Sequence, residues 1–133
     1  MAEPLLRLEN LSTHYVSARG SRVVRAVDGV SLSLNAGETL GIVGESGSGK
    51  STLALTMLRV LPPAARIVGG RIMFEGEDLV AKSDAEMREI RGKRIAMILQ
   101  DPMASLNPLF TIGNQVAEPI QVHEGMPRSS ALT

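Results

Sequence analysis

The run Gly44-Glu45-Ser46-Gly47-Ser48-Gly49-Lys50-Ser51 constrains this chain more than any other. It meets every defined position of G-x-x-x-x-G-K-[ST], and its flanks are those that such a loop needs. Before it stands Thr39-Leu40-Gly41-Ile42-Val43, a short apolar stretch read as a strand in the buried middle of a parallel sheet. After it, Ala54, Met57, Leu58 and Leu61 recur at i, i+3, i+4 and i+7, one face of a helix predicted over about residues 50–61. Pro62-Pro63 should stop that helix, because proline cannot donate to the ladder and restricts the residue before it.

Each part of the loop has its own physical role. Gly44, Gly47 and Gly49 allow positive φ and close approach of backbone to a ligand. The amides then turn inward as a concave anion site. A helix beginning near Lys50 adds N–H groups and a partial positive end. Lys50 is a mobile point charge for β- and γ-phosphates, and the Ser51 hydroxyl is a ligand for Mg²⁺. The motif therefore implies a nucleoside triphosphate carried with Mg²⁺.

Ahead of the loop the chain reads as an antiparallel β layer. Residues 5–11, 13–16 and 23–27 have strand character, and Val30-Ser31-Leu32-Ser33-Leu34 alternates apolar and polar. Ser17-Ala18-Arg19-Gly20-Ser21 reads as a turn. Beyond the loop, Arg71-Ile72-Met73-Phe74 predicts a strand and Glu75-Gly76-Glu77-Asp78 a turn. Ser83-Asp84-Ala85-Glu86 has capping-box spacing for a short helix reaching about Arg91. Ile95-Ala96-Met97-Ile98-Leu99 reads as a second buried strand. Residues 111–122 predict a helix that Pro119 interrupts, and Pro127-Arg128-Ser129-Ser130-Ala131 reads as the start of another.

Composition narrows the class. Lys+Arg and Asp+Glu both total 14, so no bulk positive field recruits nucleic acid, and no nucleic-acid partner is expected. Without cysteine there is neither a disulfide framework nor a thiolate metal site. The first residues lack a basic stretch followed by an apolar run, and no window approaches about 18 uninterrupted apolar residues. A signal peptide and a transmembrane segment are therefore not expected, and any membrane role runs through a partner.

A phosphate loop names a ligand class, and its surroundings name the family. Residues 40–52, Leu-Gly-Ile-Val-Gly-Glu-Ser-Gly-Ser-Gly-Lys-Ser-Thr, resemble the Walker A region of ABC-transporter ATPases. Ile98-Leu99-Gln100-Asp101-Pro102 resembles that family's Q-loop. Tyr15 stands where the family places an aromatic against adenine, and residues 26–32 resemble the strand before Walker A. Two stretches, residues 61–72 and Gln100-Asp101-Pro102-Met103-Ala104-Ser105-Leu106-Asn107-Pro108, are similar to ATP-binding subunits of oligopeptide, dipeptide, nickel and glutathione importers. The resemblance extends over residues 5–131.

This resemblance implies an α/β fold of ABC type, an antiparallel β layer beside an incomplete parallel core sheet. It implies two segments: residues 1–100 as the β layer and P-loop core, and residues 101–133 as the Q-loop and the start of a helical subdomain. Tyr15 would stack on adenine, while Gly44, Glu45, Ser46, Gly47, Ser48, Gly49, Lys50, Ser51 and Thr52 would hold the phosphates of ATP. Ser51 and Gln100 would approach Mg²⁺, with Lys50 and Gln100 the catalytic-site residues present. Implied partners are transmembrane permease subunits and a second ATP-binding subunit, at the cytoplasmic face of the inner membrane. After Gln100 there is no Leu-Ser-Gly-Gly-Gln signature, no apolar strand ending in Asp-Glu, and no later switch histidine. The expectation is a truncated N-terminal piece that binds Mg·ATP without hydrolysing it, from a parent that is an ATPase.

Two other readings stay open. One is another P-loop class, a GTPase or small-molecule kinase, although no Asn-Lys-x-Asp base-reading motif occurs. The other is a non-catalytic nucleotide-binding or interaction module. His14 and His123 lack metal-ligand neighbours and read as ordinary polar residues, and the mixed charges of residues 86–94 read as a solvated face.

Overall fold

A computed structural model of the chain describes residues 2–132. By its contacts the chain divides into two compact units, one ending at Lys82 and the other beginning at Ser83. The sequence placed its boundary later, after residue 100.

The first unit is built on an antiparallel sheet of order β2-β1-β3-β4. Its strands are β1 (Leu6–Val16), β2 (Val23–Leu34), β3 (Ala65–Phe74) and β4 (Glu77–Asp78). Short strands expected separately merge into long ones, because β-bulges let the ladders bend without ending. On β1 the register shifts between Leu8 and Leu11 toward β2, and between Glu9 and Ser12 toward β3. Asn10 absorbs the kink at φ 47°, and Gly70 lies across from it at φ 88°. The Asn10 amide donates to Ser31 Oγ at 2.9 Å, and the Gly29 amide donates to Ser12 Oγ at 2.8 Å. Side chains thus take bonds that the ladder gives up at the bend. The expected turn after β1 forms, with the Gly20 amide donating to the Ser17 carbonyl at 2.8 Å.

Helix α1 (Lys50–Met57) packs on β1 and β2. Leu8, Leu11, Val27, Leu53, Leu58, Ile72, Phe74 and Leu79 form the core of the unit, with Thr13 and Thr56 buried among them. Within the helix the buried residues are Leu53 and Thr56, where the apolar spacing pointed to Ala54 and Met57. The helix also stops before the prolines. Arg59 takes φ 53°, its amide donating to the Thr56 carbonyl and the Val60 amide to the Leu55 carbonyl, both at 3.0 Å. That pair of bonds is a Schellman ending with arginine where glycine usually sits. The Arg59 guanidinium donates to the Leu79 and Lys82 carbonyls, which offsets the strain of the left-handed backbone.

The expected parallel core strands do not form. Residues 39–43 run without a ladder, with Leu40 44%, Ile42 45% and Val43 94% exposed. Residues 95–99 have one isolated bridge, Ile95 to Arg91, and Ile98 is 96% exposed. A parallel strand is stable when other strands pair both its edges and helices cover both its faces. Among the described residues neither run has such ladder partners.

In the second unit, α2 (Asp84–Ile90) opens with the expected capping box. Ser83 Oγ accepts from the Glu86 amide at 3.2 Å, and the Glu86 carboxylate accepts from the Ser83 amide at 2.7 Å. Met87 and Ile90 are buried. A 3-10 turn spans Pro102–Ser105, and Met103 within it is 75% exposed. Helix α3 (Ile112–Glu124) runs through Pro119 and packs with α4 (Arg128–Ala131). Gln115 ties the preceding loop to α3: Oε1 accepts from the Asn107 amide at 2.8 Å, and Nε2 donates to the Asn107 and Phe110 carbonyls at 2.9 Å.

The bend in β1 yields a direct test. A Cβ at Gly70 would lie 2.5 Å from the Asn10 and Glu9 carbonyl oxygens and from Leu11 Cα, all backbone. Gly70→Ala is expected to cost at least about 2 kcal/mol, combining strain and collision. Gly20→Ala, at φ 66° with open space around it, should cost only the left-handed penalty of about 1 kcal/mol. Urea midpoints followed by circular dichroism compare them; equal losses would contradict the crowded bulge.

Candidate nucleotide-binding site

The glycine-rich loop is turned back on itself by a bond from the Ser48 amide to the Glu45 carbonyl at 3.1 Å. Gly47 at φ 81° and Gly49 at φ 95° hold the left-handed conformations that its curvature requires. Gly49 is demanded twice, because a Cβ there would lie 2.1 Å from the Ala26 carbonyl oxygen of β2. The loop is thus pressed against the sheet at the point where the helix begins.

Gly49 is the N-cap of α1, and its carbonyl accepts the first helical bond from the Leu53 amide at 2.8 Å. A glycine cap brings no side chain to the helix end, and the first turn holds no acidic residue. The leading amides of a helix have no intrahelical acceptor, and the helix dipole adds positive potential there. No side chain of the cap or the first turn takes up this end of α1.

Lys50 is the first residue of α1, and its Nζ sits back over the loop. It donates to the Gly44 carbonyl at 2.6 Å, the Glu45 carbonyl at 2.8 Å and Ser48 Oγ at 3.1 Å. An ammonium has three protons, so the loop's own oxygens match its donors one for one. The charge is held at the loop, where an anion drawn to the helix end would meet it. Gly44 makes this fold-back fit: a Cβ there would lie 2.7 Å from Ser48 Oγ and 3.6 Å from Lys50 Nζ.

Glu45, Ser46, Gly47 and Ser48 are exposed, Gly49 and Lys50 half-buried, and Ser51 exposed on the first turn. Half-buried Thr52 follows, its Oγ1 3.3 Å from the hydroxyl of Tyr15. The structure thus brings Tyr15 of β1 to the same end of α1 as the loop. Gln100 belongs to the second unit, where it is exposed just ahead of the 3-10 turn. Its neighbour Asp101 accepts from the Met103 amide at 3.2 Å.

Two residues of this neighbourhood escaped the sequence reading. Thr13 and Thr56 are fully buried and joined hydroxyl to hydroxyl at 3.0 Å. Their signal was spacing: Thr13 lies two residues before Tyr15 on a strand, and Thr56 four after Thr52 on a helix.

The described residues contain no group of three His, Cys, Asp or Glu able to enclose a metal ion. Mg²⁺ commonly takes one or two protein oxygens and completes its shell with phosphate and water. The exposed Ser51 hydroxyl at the head of α1 fits that pattern.

Comparison with known proteins identifies the family. The sequence profile of the ABC transporter family matches residues 27–131. The chain is 49% identical over 132 residues to a probable peptide ABC transporter ATP-binding protein of Sinorhizobium fredii, covering 98% of this chain and 39% of that protein. It is 46% identical over 129 residues to the oligopeptide transport ATP-binding protein OppD of Haemophilus influenzae, covering 97% of this chain and 39% of the relative. The chain therefore spans about two fifths of the length of these relatives. Among solved structures, a dimeric ATP-binding cassette in a post-hydrolysis state with ADP and phosphate superposes with a TM-score of 0.75 at 24% identity, covering 96% of this chain and 54% of that one. A nucleotide-free cassette from an ABC transporter gives a TM-score of 0.58 at 28% identity, covering 98% of this chain and 45% of that one. With its phosphate loop seated between sheet and helix, and with the family's profile running through both units, this chain belongs to the ABC transporter family.

Proposed function

We propose that this chain is the nucleotide-binding front part of the ATP-binding subunit of an ABC importer for peptides or related solutes. The observation that carries this reading is the glycine-capped head of α1, with the Lys50 ammonium held over the loop before it. A triphosphate entering there would replace the loop oxygens around Lys50 with its own and accept from the leading amides of the helix. Tyr15 would offer its ring to adenine, and Ser51 would hold Mg²⁺ with the phosphates. Gln100 would approach Mg²⁺ and link nucleotide state to the permease, with residues 101–133 opening the helical subdomain. The relatives' names support peptide transport. The second ATP-binding subunit, the permease and a seat on the cytoplasmic face of the membrane belong to the same proposal.

Hydrolysis needs groups that this sequence does not contain. No apolar strand in this sequence ends in Asp-Glu, the pair that would position water and share Mg²⁺ with Ser51. Phosphoryl transfer depends on such positioning and charge stabilisation. The chain on its own is therefore proposed to bind Mg·ATP without turning it over, and the longer protein to be the ATPase.

Titration with Mg·ATP, with phosphate release followed in the same samples, tests this. The wild-type chain should bind, and Lys50→Ala should weaken binding at least about tenfold, since each charge-assisted hydrogen bond contributes ~1.5–3 kcal/mol. Neither should release phosphate. A folded chain that bound no ATP would overturn the assignment, and Lys50-dependent phosphate release would overturn the claim that the chain is catalytically incomplete. Tyr15→Ala should weaken ATP binding about tenfold, the scale of one lost base–aromatic stack; unchanged affinity would remove Tyr15 from the site.

A further inference from the structure

Tyr15 stands on β1 and the phosphate loop leads into α1, and two hydroxyl pairs join that strand to that helix. Thr56 Oγ1 donates to the Thr52 carbonyl at 2.6 Å. A hydroxyl has one proton, so in its 3.0 Å contact with Thr13 the Thr56 oxygen accepts and Thr13 donates. One turn closer to the loop, Thr52 Oγ1 meets the Tyr15 hydroxyl at 3.3 Å. Two rungs therefore join β1 to α1: Thr13 with Thr56, and Tyr15 with Thr52.

The spacing of the rungs suits both elements. Two residues of strand advance about 6.6 Å and four residues of helix about 6 Å, so strand and helix keep step over the pair. Thr13 and Thr56 are each 0% exposed. A buried hydroxyl is costly unless bonded. Thr56 is bonded within its own helix to the Thr52 carbonyl, so it is Thr13 that is accommodated only where its partner stands at the right height. An apolar pair would pack at a wider range of offsets.

We propose that Thr13 and Thr56 are a positioning pair that fixes the height of Tyr15 relative to the phosphate loop, and so gives the site its preference for an adenine nucleotide over bare polyphosphate. The inference rests on the nucleotide reading above. Neither threonine touches the ligand; each acts through its neighbour on the second rung. Removing the Thr13 hydroxyl lets α1 settle at a different height on the doubly paired β1, which changes the offset between the Tyr15 ring and the helix head and leaves the loop's own geometry, capped by Gly49, as it is.

Binding of Mg·ATP and of Mg·tripolyphosphate to the 133-residue chain, by calorimetry beside thermal unfolding, distinguishes positioning from packing. Thr13→Val should weaken ATP binding about three- to tenfold, the size of one lost hydrogen bond, while tripolyphosphate affinity stays within about twofold. Thr13→Ser, which keeps the hydroxyl, should restore the ratio. If Thr13→Val does not fold, Thr13→Ala removes the hydroxyl without inserting apolar bulk, and the same ratio is read from it. A variant with a lowered Tm but an unchanged ratio of the two affinities would overturn the inference and leave the pair as packing. A wild-type chain that bound both ligands equally would also overturn it, since there would be no base preference to position. A wild-type chain that bound neither would overturn the nucleotide reading itself, and this inference with it.

Discussion

Strand β1 is paired on both edges, to β2 and to β3, and carries α1 against one of its faces. That double pairing is the constraint on which the first unit depends. A strand fixed on both edges cannot slide without turning its whole buried set to the other face. Leu8, Leu11 and Thr13 are that set, each at most 1% exposed. Because β1 is held, α1 has a fixed seat, and because α1 is fixed, the amides at its head point in a defined direction. The proposed anion site is in this sense a property of the sheet.

The bulge at Asn10 belongs to the same constraint. It lets one strand serve two partners over its eleven residues while keeping Leu8 and Leu11 on the core side. Odd spacing along a strand normally places two residues on opposite faces. An extra residue in the left-handed region restores them to one face, and Gly70 leaves room for it on β3. Residues far apart in sequence share the cost of this bend.

What was legible in the sequence was what local bonds decide. The capping box joins residues three apart, the Ser17 turn closes within six residues, and the phosphate loop closes on Lys50. In each, residue types at fixed spacing carry the whole signal. The merging of short strands was not legible, because a bulge is defined by partners on other strands. The early end of α1 was not legible either, since Arg59 takes a left-handed backbone that arginine seldom adopts and is held there by carbonyls of residues 79 and 82. Pro119 was read as an interruption of α3, yet the helix continues through it. A proline within a helix removes one bond and strains one turn, and surrounding contacts can outweigh that. Thr13 and Thr56 looked like ordinary polar positions until the fold placed their hydroxyls together.

The two apolar runs show why periodicity alone does not make a strand. Residues 39–43 and 95–99 carry the hydrophobicity of buried parallel strands, but hydrophobicity expresses a preference for burial, and a ladder needs backbone partners as well. The phosphate loop nevertheless keeps its geometry although the run before it is unpaired. A loop between a strand and a helix can be fixed from either end. Here it is fixed from the helix end, by α1 on β1 and by Gly49 against the Ala26 carbonyl. The groups that would meet phosphate, the Lys50 ammonium and the leading amides of α1, all lie on that side. The antiparallel sheet is therefore sufficient to set the cradle, and the parallel strand that normally feeds such a loop is not what shapes it in this chain.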